Sequence, residues 1–429
     1  MAKRSLSIHL SVLLNGERVG TLVRGSSGRL SFEYTPAWIA GKSLPISLSM
    51  PIKDAPYTGA IVSSFFGNLL PDNEVILERL AQKFQANSTD PVELLSLMGR
   101  DCVGALQFIP KDEEIPKAEG LKFKTLDEEE IHRILSNLSI SPLGMNESDE
   151  FRISIAGAQE KTALLYLNNR WCRPLGVTPS THILKPRLGI LPNRIDMTMS
   201  AENEWVCLQI AKHFGFEVPQ SQVLDFKDIR CLVVERFDRK WIGSRLTRLP
   251  QEDLCQALGI PYTKKYENRG GVGIKQIMDF LNSSDYRDRD RATFFKAQIL
   301  FYLLAGTDGH AKNFSVFPSK SGFRLTPLYD ILSLHPALQA RQIEKKEAKL
   351  AMGVGSPRHY RLSEIQNRHW YESAKASDVS KEAFEEMLQE VSEKAKSLEK
   401  SFQSYPSAVS GDLIGVIISG LRSSLRSLD

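Results

Sequence analysis

The stretch of residues 306–330 constrains this chain most, because it spaces three oxygen-bearing side chains at fixed intervals. Asp308 precedes Asn313 by five positions, and Asp330 follows after a predicted hairpin. Residues 314–317 predict one strand of that hairpin and residues 322–325 its return, which brings Asp330 back beside Asn313. A carboxylate that accepts a hydroxyl proton and two oxygen ligands for Mg²⁺ are the groups that phosphoryl transfer needs.

The interval between Asp308 and Asn313 matches the protein-kinase catalytic loop, in which the basic Asp lies five positions before a metal-binding Asn. The flanking residues differ, since Gly306-Thr307 replaces His-Arg and Ile331-Leu332 replaces the Phe-Gly that follows the second Asp. An isolated Asp-Gly is more often a plain turn. Because all three residues keep the kinase spacing, the pattern instead favours a divergent kinase site. In that site Asp308 is the base, and Asn313 and Asp330 bind the metal.

Composition sets the class of protein. The 429 residues allow two or three domains, and 42% hydrophobic with 25% charged residues is ordinary for a globular chain. A net charge of +4 is too small to indicate nucleic-acid binding by itself. No apolar run reaches the roughly 18 residues of a membrane span, so we expect a cytoplasmic protein without membrane association. The five cysteines are expected to be buried free thiols.

Residues 1–110 are predicted to form an α+β unit with nothing that looks catalytic. Alternating residues on both sides of Asn15-Gly16 predict a β-hairpin. Helices are predicted from Asn73, with Val75 among the residues facing inward, and from Asp90, which precedes a proline. Further strands are predicted at residues 32–34, 46–50 and 103–109. The charged stretch of residues 111–130 predicts a linker or an exposed loop.

The small residues Ala156, Gly157 and Ala158 lie between two β-like runs, where backbone N–H groups can approach an anion and Lys161 can add positive charge. By itself this pattern is weak, since a tight hairpin needs the same small residues. Residues 232–238 predict a strand that runs into a polar turn, with Phe237 placed to pack on a base.

Lys185 ends another predicted strand, and the helix predicted at residues 201–214 contains Glu202 and Glu204. Kinases hold a strand lysine on the α- and β-phosphates with a helix glutamate, and either of these glutamates suits that role. The alternative is a solvated lysine beside a polar helix start. Beyond Asp238 strand patterns nearly stop. Helices are predicted at residues 291–305, 384–402 and 413–421.

Taken together, these blocks resemble a HipA-type serine/threonine kinase, the toxin of a bacterial toxin–antitoxin pair. The resemblance runs along most of the chain and includes residues 66–72, 99–105 and 249–253. It implies an α+β, two-lobed, protein-kinase-like fold with a mixed α/β N-terminal part and a mainly helical C-terminal part. The expected units are an N-terminal α+β subdomain (1–110), a linker and helical connection (111–150), a nucleotide-binding α/β part (151–240) and a helical lobe carrying the catalytic loop (241–429).

The resemblance also implies ATP and Mg²⁺ as cofactors, with Asp308 as catalytic base. The residues that it places around ATP are Ala156, Gly157, Ala158, Gln159, Glu160, Lys161, Lys185, Glu235, Arg236, Phe237, His310, Ala311, Lys312, Asn313, Tyr329 and Asp330. Family members autophosphorylate a serine in the loop matching Ser154, which expels the loop from the ATP site. An ordinary packed strand residue is the alternative for Ser154.

The implied partners are a dimeric helix-turn-helix antitoxin of the HipB type, operator DNA bound through that complex, and a protein substrate such as glutamyl-tRNA synthetase. Phosphorylation of that substrate halts translation and promotes persistence. Arg368 and Lys375, in a locally basic region, are candidates for DNA contact, and a solvated face is the plainer alternative. A small-molecule kinase for a lipid or sugar, or a non-catalytic DNA-binding corepressor, are the alternative functions.

Overall fold

The Asn15-Gly16 hairpin begins the first sheet, and both residues have positive φ (52° and 88°), as a type I′ turn requires. The fold is seen in a computed structural model that describes residues 7–41, 44–116, 120–146 and 150–428. The first elements are β1 (Ile8–Leu14), β2 (Glu17–Arg24), β3 (Leu30–Tyr34), α1 (Pro36–Ala40), β4 (Tyr57–Thr58), α2 (Ala60–Gly67), α3 (Glu74–Lys83), α4 (Pro91–Met98), β5 (Asp101–Cys102) and β6 (Leu106–Pro110). Five of these strands form an antiparallel sheet in the order β4-β3-β2-β1-β6.

The strand predicted at residues 46–50 is wrong, because this segment turns around a buried tyrosine. The Tyr34 hydroxyl accepts a hydrogen bond from the Ile46 backbone N–H (2.9 Å) and donates one to the Met50 carbonyl (2.6 Å). Both ends of the segment are thus tied to one phenol, and a single bridge between Ser47 and Met50 is its only pairing among the described residues.

Helix α3 begins after Asn73 and α4 after Asp90, and each of these side chains accepts hydrogen bonds from the first turn of its helix, as predicted. The inward direction predicted for Val75 is wrong, since its side chain is 52% exposed. Ile76 and Leu80, four positions apart and also predicted to face inward, are buried.

The next part of the chain, from residue 123 to residue 235, is built around a second sheet. Its elements are β7 (Phe123–Thr125), α5 (Glu128–Ser136), β8 (Ile153–Ser154), β9 (Thr162–Leu167), β10 (Arg170–Pro174), β11 (His182–Pro186), β12 (Gly189–Ile190), β13 (Asp196–Met197), α6 (Ser200–His213), β14 (Ser221–Phe226) and β15 (Ile229–Glu235). Six strands form an antiparallel sheet in the order β14-β15-β11-β9-β10-β7, so that β11 lies inside it.

Part of the predicted linker at residues 111–130 is ordered structure, which corrects that expectation. Strand β7 pairs with β10, and α5 begins at Asp127 with a capping box to Glu130. The acidic run that suggested a solvated linker is the first turn of a helix, where negative charge is favourable. Residues 117–119 of the predicted linker lie outside the described residues.

The C-terminal part is mainly helical, with short strands between its helices. Its elements are β16 (Arg239–Ile242), β17 (Arg245–Arg248), β18 (Glu252–Asp253), α7 (Leu254–Ala257), α8 (Ile274–Phe280), α9 (Arg287–Leu303), β19 (Ser315–Pro318), β20 (Phe323–Leu325), α10 (His335–Gln339), β21 (Lys349–Val354), β22 (His359–Arg361), α11 (Asn367–Ala376), α12 (Lys381–Ser397) and α13 (Gly411–Arg426). The expectation that strands nearly stop after Asp238 is wrong, since β16 to β22 all follow it. These strands escaped prediction because they are too short to show an alternating pattern. The hairpin predicted after Asn313 is present as β19 and β20.

A buried ion cluster joins the first unit to residues 236–248, which follow the second sheet and include the β16–β17 hairpin. The Asp101 carboxylate accepts hydrogen bonds from Arg239 (2.9 Å) and Arg248 (2.8 Å), while Arg236 is bound to Asp238 (2.8 Å). Strand β5, which contains Asp101, also pairs in parallel with β8. Burying these carboxylates and guanidinium groups is tolerable only when each charge meets its partner. The cluster therefore fixes the two parts of the chain against each other.

All five cysteines are buried and free, as predicted. Within the described ranges, the helices are either too short or too polar to cross a lipid bilayer.

Candidate active site

Asn313 connects the other two residues of the predicted catalytic set, Asp308 and Asp330. Helix α9 ends in a left-handed turn at Ala305 (φ 51°), and the loop that follows carries Asp308 to Asn313. The Asn313 side-chain Nδ2 donates hydrogen bonds to the backbone carbonyls of Asp308 (2.7 Å) and Asp330 (3.2 Å). Since the amide nitrogen faces these two carbonyls, its Oδ1 is the atom left to bind a ligand in the adjoining cavity.

Asp330 lies after the hairpin with φ of 60°, a left-handed conformation that costs a non-glycine residue energy. Its Oδ1 accepts a hydrogen bond from the Lys185 ammonium (2.8 Å), which also donates to Glu204 Oε1 (2.7 Å). Burial alone raises the pKa of Asp330, but the nearby Lys185 and Lys161 hold this pKa well below its usual range. Asp330 is therefore ionised at neutral pH, which is the form that binds a cation.

The helix partner of Lys185 is Glu204, which decides between the two glutamates left open by the sequence. Burial alone would lower the pKa of Lys185, but Asp330 and Glu204 raise it above its ordinary value and keep the amine charged. Glu202 faces elsewhere and pairs with Arg187 and Arg230.

A cavity of about 370 Å³ lies between the second sheet and the catalytic loop. Fourteen of the predicted nucleotide-binding residues line it. They are Ala156, Gly157, Ala158, Gln159, Lys161, Lys185, Glu235, Arg236, Phe237, His310, Lys312, Asn313, Tyr329 and Asp330. Two others lie outside its wall: Glu160 pairs with Arg79 (3.0 Å), and the Ala311 side chain is fully buried in the core.

Several basic side chains in the cavity wall already have protein partners. The Arg236 guanidinium belongs to the buried ion cluster, and Lys312 donates to Asn68 Oδ1 (2.8 Å) and to Asp253 (2.7 Å). Lys161 donates to the Ala156 carbonyl (2.9 Å), and burial followed by the charge of Lys185 lowers the pKa of Lys161. Lys185 is likewise held by Glu204 and Asp330, so each of these four basic side chains lines the cavity from a position fixed by protein groups.

His310 is buried in the wall, and neither ring nitrogen has a hydrogen-bond partner among the described residues. Burial lowers the pKa of His310, against the smaller opposing effect of Asp308, so that the neutral imidazole is favoured. A buried ring with two unpartnered nitrogens is suited to a polar ligand, because unpaired buried polar atoms are costly.

The opposite end of the cavity is apolar and aromatic. The Phe237 ring packs against Tyr329, with centroids 5.6 Å apart, and against Phe317 at 5.9 Å. Leu208 and Val234 also line this space. An apolar slot beside a strand end, where backbone groups are available, is suited to a flat heterocyclic base.

Three residues that sequence reasoning missed also shape the site. Asn68 and Asp72 come from the first unit, which had shown nothing catalytic, and both line the cavity. Asp72 pairs with Lys265 (2.6 Å). The hydroxyl of Tyr266 donates a hydrogen bond to Asp308. The segment 66–72 was among the blocks of the resemblance, but Tyr266 lies in no recognised motif.

Ser154 is completely buried, and its Oγ donates to the Leu69 carbonyl (2.7 Å) while β8 pairs with β5. Its hydroxyl is thus out of reach of a phosphoryl donor in this conformation. Arg368 and Lys375 are both exposed on α11, seven positions apart and so on one face of the helix.

Two family models match the chain: the HipA N-terminal domain at residues 10–109 and the HipA-like C-terminal domain at residues 153–398. The chain belongs to the HipA family. A Sinorhizobium fredii protein, the candidate kinase Y4mE, is 32% identical to this HipA-family kinase over 378 residues, or 86% of each chain. The serine/threonine-protein kinase toxin HipA of Shewanella oneidensis is 30% identical and covers 82% of this chain and 78% of its own.

The solved structure of Shewanella oneidensis HipA with HipB and its operator DNA has the same fold. It aligns with a TM-score of 0.80 at 22% identity and covers 98% of this HipA-family chain and 97% of its own. The predicted family and the predicted α+β, HipA-like architecture are confirmed. The boundaries proposed at residues 110, 150 and 240 stay predictions.

Proposed function

We propose that this HipA-family kinase is an ATP- and Mg²⁺-dependent protein serine/threonine kinase and the toxin of a toxin–antitoxin pair. The observation that carries the proposal is the Asn313 amide, which binds the backbones of Asp308 and Asp330 together at one end of a nucleotide-sized cavity. A base, an amide oxygen and an ionised carboxylate are thereby held at the same place. The name of the Shewanella oneidensis relative supports the choice of serine or threonine as acceptor.

In the proposed reaction, the acceptor hydroxyl oxygen attacks the γ-phosphorus of ATP and forms a new P–O bond. The bond between that phosphorus and the bridging oxygen of ADP breaks, and the hydroxyl proton passes to Asp308. The Asp308 side chain is 55% exposed, so an acceptor on another protein can reach it. Lys185, held by Glu204 from α6, is placed to bind the α- and β-phosphates.

The donor set fits Mg²⁺. Asn313 Oδ1 and the Asp330 carboxylate are hard oxygen ligands, and two such side chains together with substrate phosphates are the usual protein share of a Mg²⁺ site. No group of three or more His, Cys, Asp or Glu side chains suited to a metal occurs in the described ranges, which is consistent with a site completed by the nucleotide. When bound, the ion neutralises charge on the phosphates.

The buried position of Ser154 supports its proposed part in regulation. A phosphate of about two negative charges cannot occupy a fully buried strand position beside Leu69, so phosphorylation requires residues around β8 to leave the sheet. Leaving the sheet would also displace the neighbouring small-residue loop, Ala156 to Ala158, from the cavity wall. In this proposal, the displacement of that loop is what switches the kinase off.

The partners that we propose are a HipB-like helix-turn-helix antitoxin dimer and operator DNA, by analogy with the solved Shewanella oneidensis complex of HipA, HipB and operator DNA. Arg368 and Lys375 are the proposed DNA contacts, since both are exposed on one face of α11. A translation component such as glutamyl-tRNA synthetase is the proposed substrate, and its phosphorylation would account for growth arrest and persistence.

The experiment is phosphoryl transfer from γ-labelled ATP with purified protein, Mg²⁺ and a dephosphorylated cell lysate. Wild type should label serine or threonine in a protein acceptor and at Ser154. Asp308→Asn, which keeps the size of the side chain, should reduce transfer about 10³-fold or more while nucleotide binding persists. Induced expression should arrest growth with wild type and not with this variant.

Label found only on a metabolite would replace the proposal with a small-molecule kinase. Operator binding without any ATP turnover would replace it with a non-catalytic corepressor. Unchanged labelling by Asp308→Asn would remove Asp308 from the reaction.

A further inference from the structure

The carboxylate of Asp308 is held by a side chain that lies 42 residues before it in the chain. The Tyr266 hydroxyl donates a hydrogen bond to Asp308 Oδ1. Among the described residues, no other side chain donates a hydrogen bond to this carboxylate, and the nearest ring nitrogen of His310 is 3.6 Å from the same Oδ1. Both neighbours therefore lie on one oxygen, and Oδ2 is left for the proton of an acceptor.

The backbone around Tyr266 is fixed from both sides. On its N-terminal side, the Lys265 carbonyl accepts a hydrogen bond from the backbone N–H of Ala311 in the catalytic loop (3.4 Å), and the Lys265 ammonium pairs with Asp72 (2.6 Å). The tyrosine is thus attached to the loop that it serves and to the first unit.

On the C-terminal side, the buried Glu267 accepts a hydrogen bond from the Gly353 backbone N–H (2.6 Å) and pairs with Arg358 (2.9 Å). The Gly271 backbone N–H closes the turn on the Tyr266 carbonyl (3.1 Å), and a Cβ at this glycine would overlap the backbone carbonyls of Lys264 and Tyr266. Only glycine fits at position 271, and Glu267 anchors the turn on β21. The position of the Tyr266 ring is therefore fixed.

The tyrosine also remains a donor under all physiological conditions. Burial and then the Asp308 carboxylate raise the pKa of Tyr266 well above its ordinary value. Its ring packs edge-on against His310, with centroids 5.0 Å apart, which fixes the direction of the hydroxyl. The group therefore presents a permanent O–H to one oxygen of the carboxylate.

We propose that Tyr266 is a positioning residue for phosphoryl transfer, which holds Asp308 by one oxygen so that the other faces the hydroxyl of the acceptor. This inference rests on the proposed function. A half-exposed carboxylate samples several rotamers in water, and a fixed donor on one oxygen selects the rotamer that reacts.

A blocking role for the Tyr266 hydroxyl would predict the opposite change in kcat. If the Tyr266 hydroxyl occupied the place of the acceptor hydroxyl, it would compete with the substrate, and its removal would speed transfer. The direction of the change in kcat therefore decides between a positioning group and a blocking group.

The test compares Tyr266→Phe with Tyr262→Phe in the full-length protein, with γ-labelled ATP, Mg²⁺ and the protein acceptor identified in the lysate. Both changes remove one hydroxyl from the same segment, but the Tyr266 hydroxyl donates to Asp308, whereas Tyr262 lines a separate cavity with Leu70 and Glu74. Phenylalanine keeps the ring packing on His310, so thermal unfolding should match wild type.

For Tyr266→Phe we expect kcat to fall about tenfold, the loss of one hydrogen bond to a charged group, with an unchanged KM for ATP. Tyr262→Phe should change neither quantity. A purely structural role of Tyr266 would instead lower the thermal unfolding temperature and raise the KM for ATP together with the fall in kcat.

An unchanged or raised kcat in Tyr266→Phe overturns the positioning role even where Asp308→Asn abolishes transfer. Absence of label on any protein acceptor with the wild type overturns the proposed function, whereas full activity of Asp308→Asn removes Asp308 from the reaction and the positioning role with it. The two failures are thus distinguishable.

Discussion

The contact between Lys185 and Glu204 allows a direct test of the nucleotide-binding role proposed for this lysine. The two charged groups are 2.7 Å apart with only 10% and 4% of their side chains exposed, so water screens them little. Glu204→Gln keeps the shape of the side chain and removes its charge. A hydrogen bond between charged groups contributes about 1.5–3 kcal/mol, and Lys185 retains Asp330 as a second partner, which favours the lower half of that range.

The expected result is a fall in kcat/KM for ATP of roughly 10- to 30-fold, the equivalent of about 1.5–2 kcal/mol. The lysine should also move toward Asp330 and compete with Mg²⁺ for that carboxylate, so the variant should need more Mg²⁺ for half-maximal rate. The assay is initial-rate transfer from γ-labelled ATP over a matrix of ATP and Mg²⁺ concentrations.

Glu202→Gln is the matched control, since Glu202 lies on the same helix and is equally buried but pairs with Arg187 and Arg230. It should lower stability toward urea while leaving kcat/KM for ATP nearly unchanged. Equal effects of the two substitutions on kcat/KM would refute the reasoning, because the loss would then reflect helix α6 as a whole.

Two further predictions concern buried groups outside the reaction. Burial raises the pKa of Glu252 to about 8, so the folded state binds a proton that the unfolded state releases near pH 4.5; stability should fall by about 1.4 kcal/mol per pH unit between those values, and urea unfolding of Glu252→Gln should show a flatter pH dependence. Ser154→Ala leaves the Leu69 carbonyl without its donor and should lower the unfolding free energy by about 1 kcal/mol. Transfer by Ser154→Ala to a protein acceptor should persist while label on the chain itself is lost.

The geometry of Asp308, Asn313 and Asp330 was accessible from the sequence because it depends on a loop and one hairpin within 23 residues. The choice between Glu202 and Glu204 was not accessible, since both are almost fully buried on a helix that is enclosed on most sides. Residues two positions apart on a helix point in directions that differ by about 200°. Only the packing of α6 against the sheet decides which of these two glutamates meets Lys185.

Tyr266 could not be found by spacing because its contact with Asp308 is made by a separate turn, which anchors on Gly353 through Glu267. Strands such as β18 and β5 were missed for a related reason. Each has two residues, so neither can display a period, and each exists because a partner strand from elsewhere in the chain supplies its hydrogen bonds.

Asn68 and Asp72, from the first unit, contact Lys312 and Lys265 of the C-terminal part at the cavity wall. Recombination that exchanged residues 1–110 between relatives would break these contacts unless both sides matched. The two family regions therefore depend on matched residues where they meet, and chimeric kinases assembled from divergent parents should lose activity through mismatched pairs there.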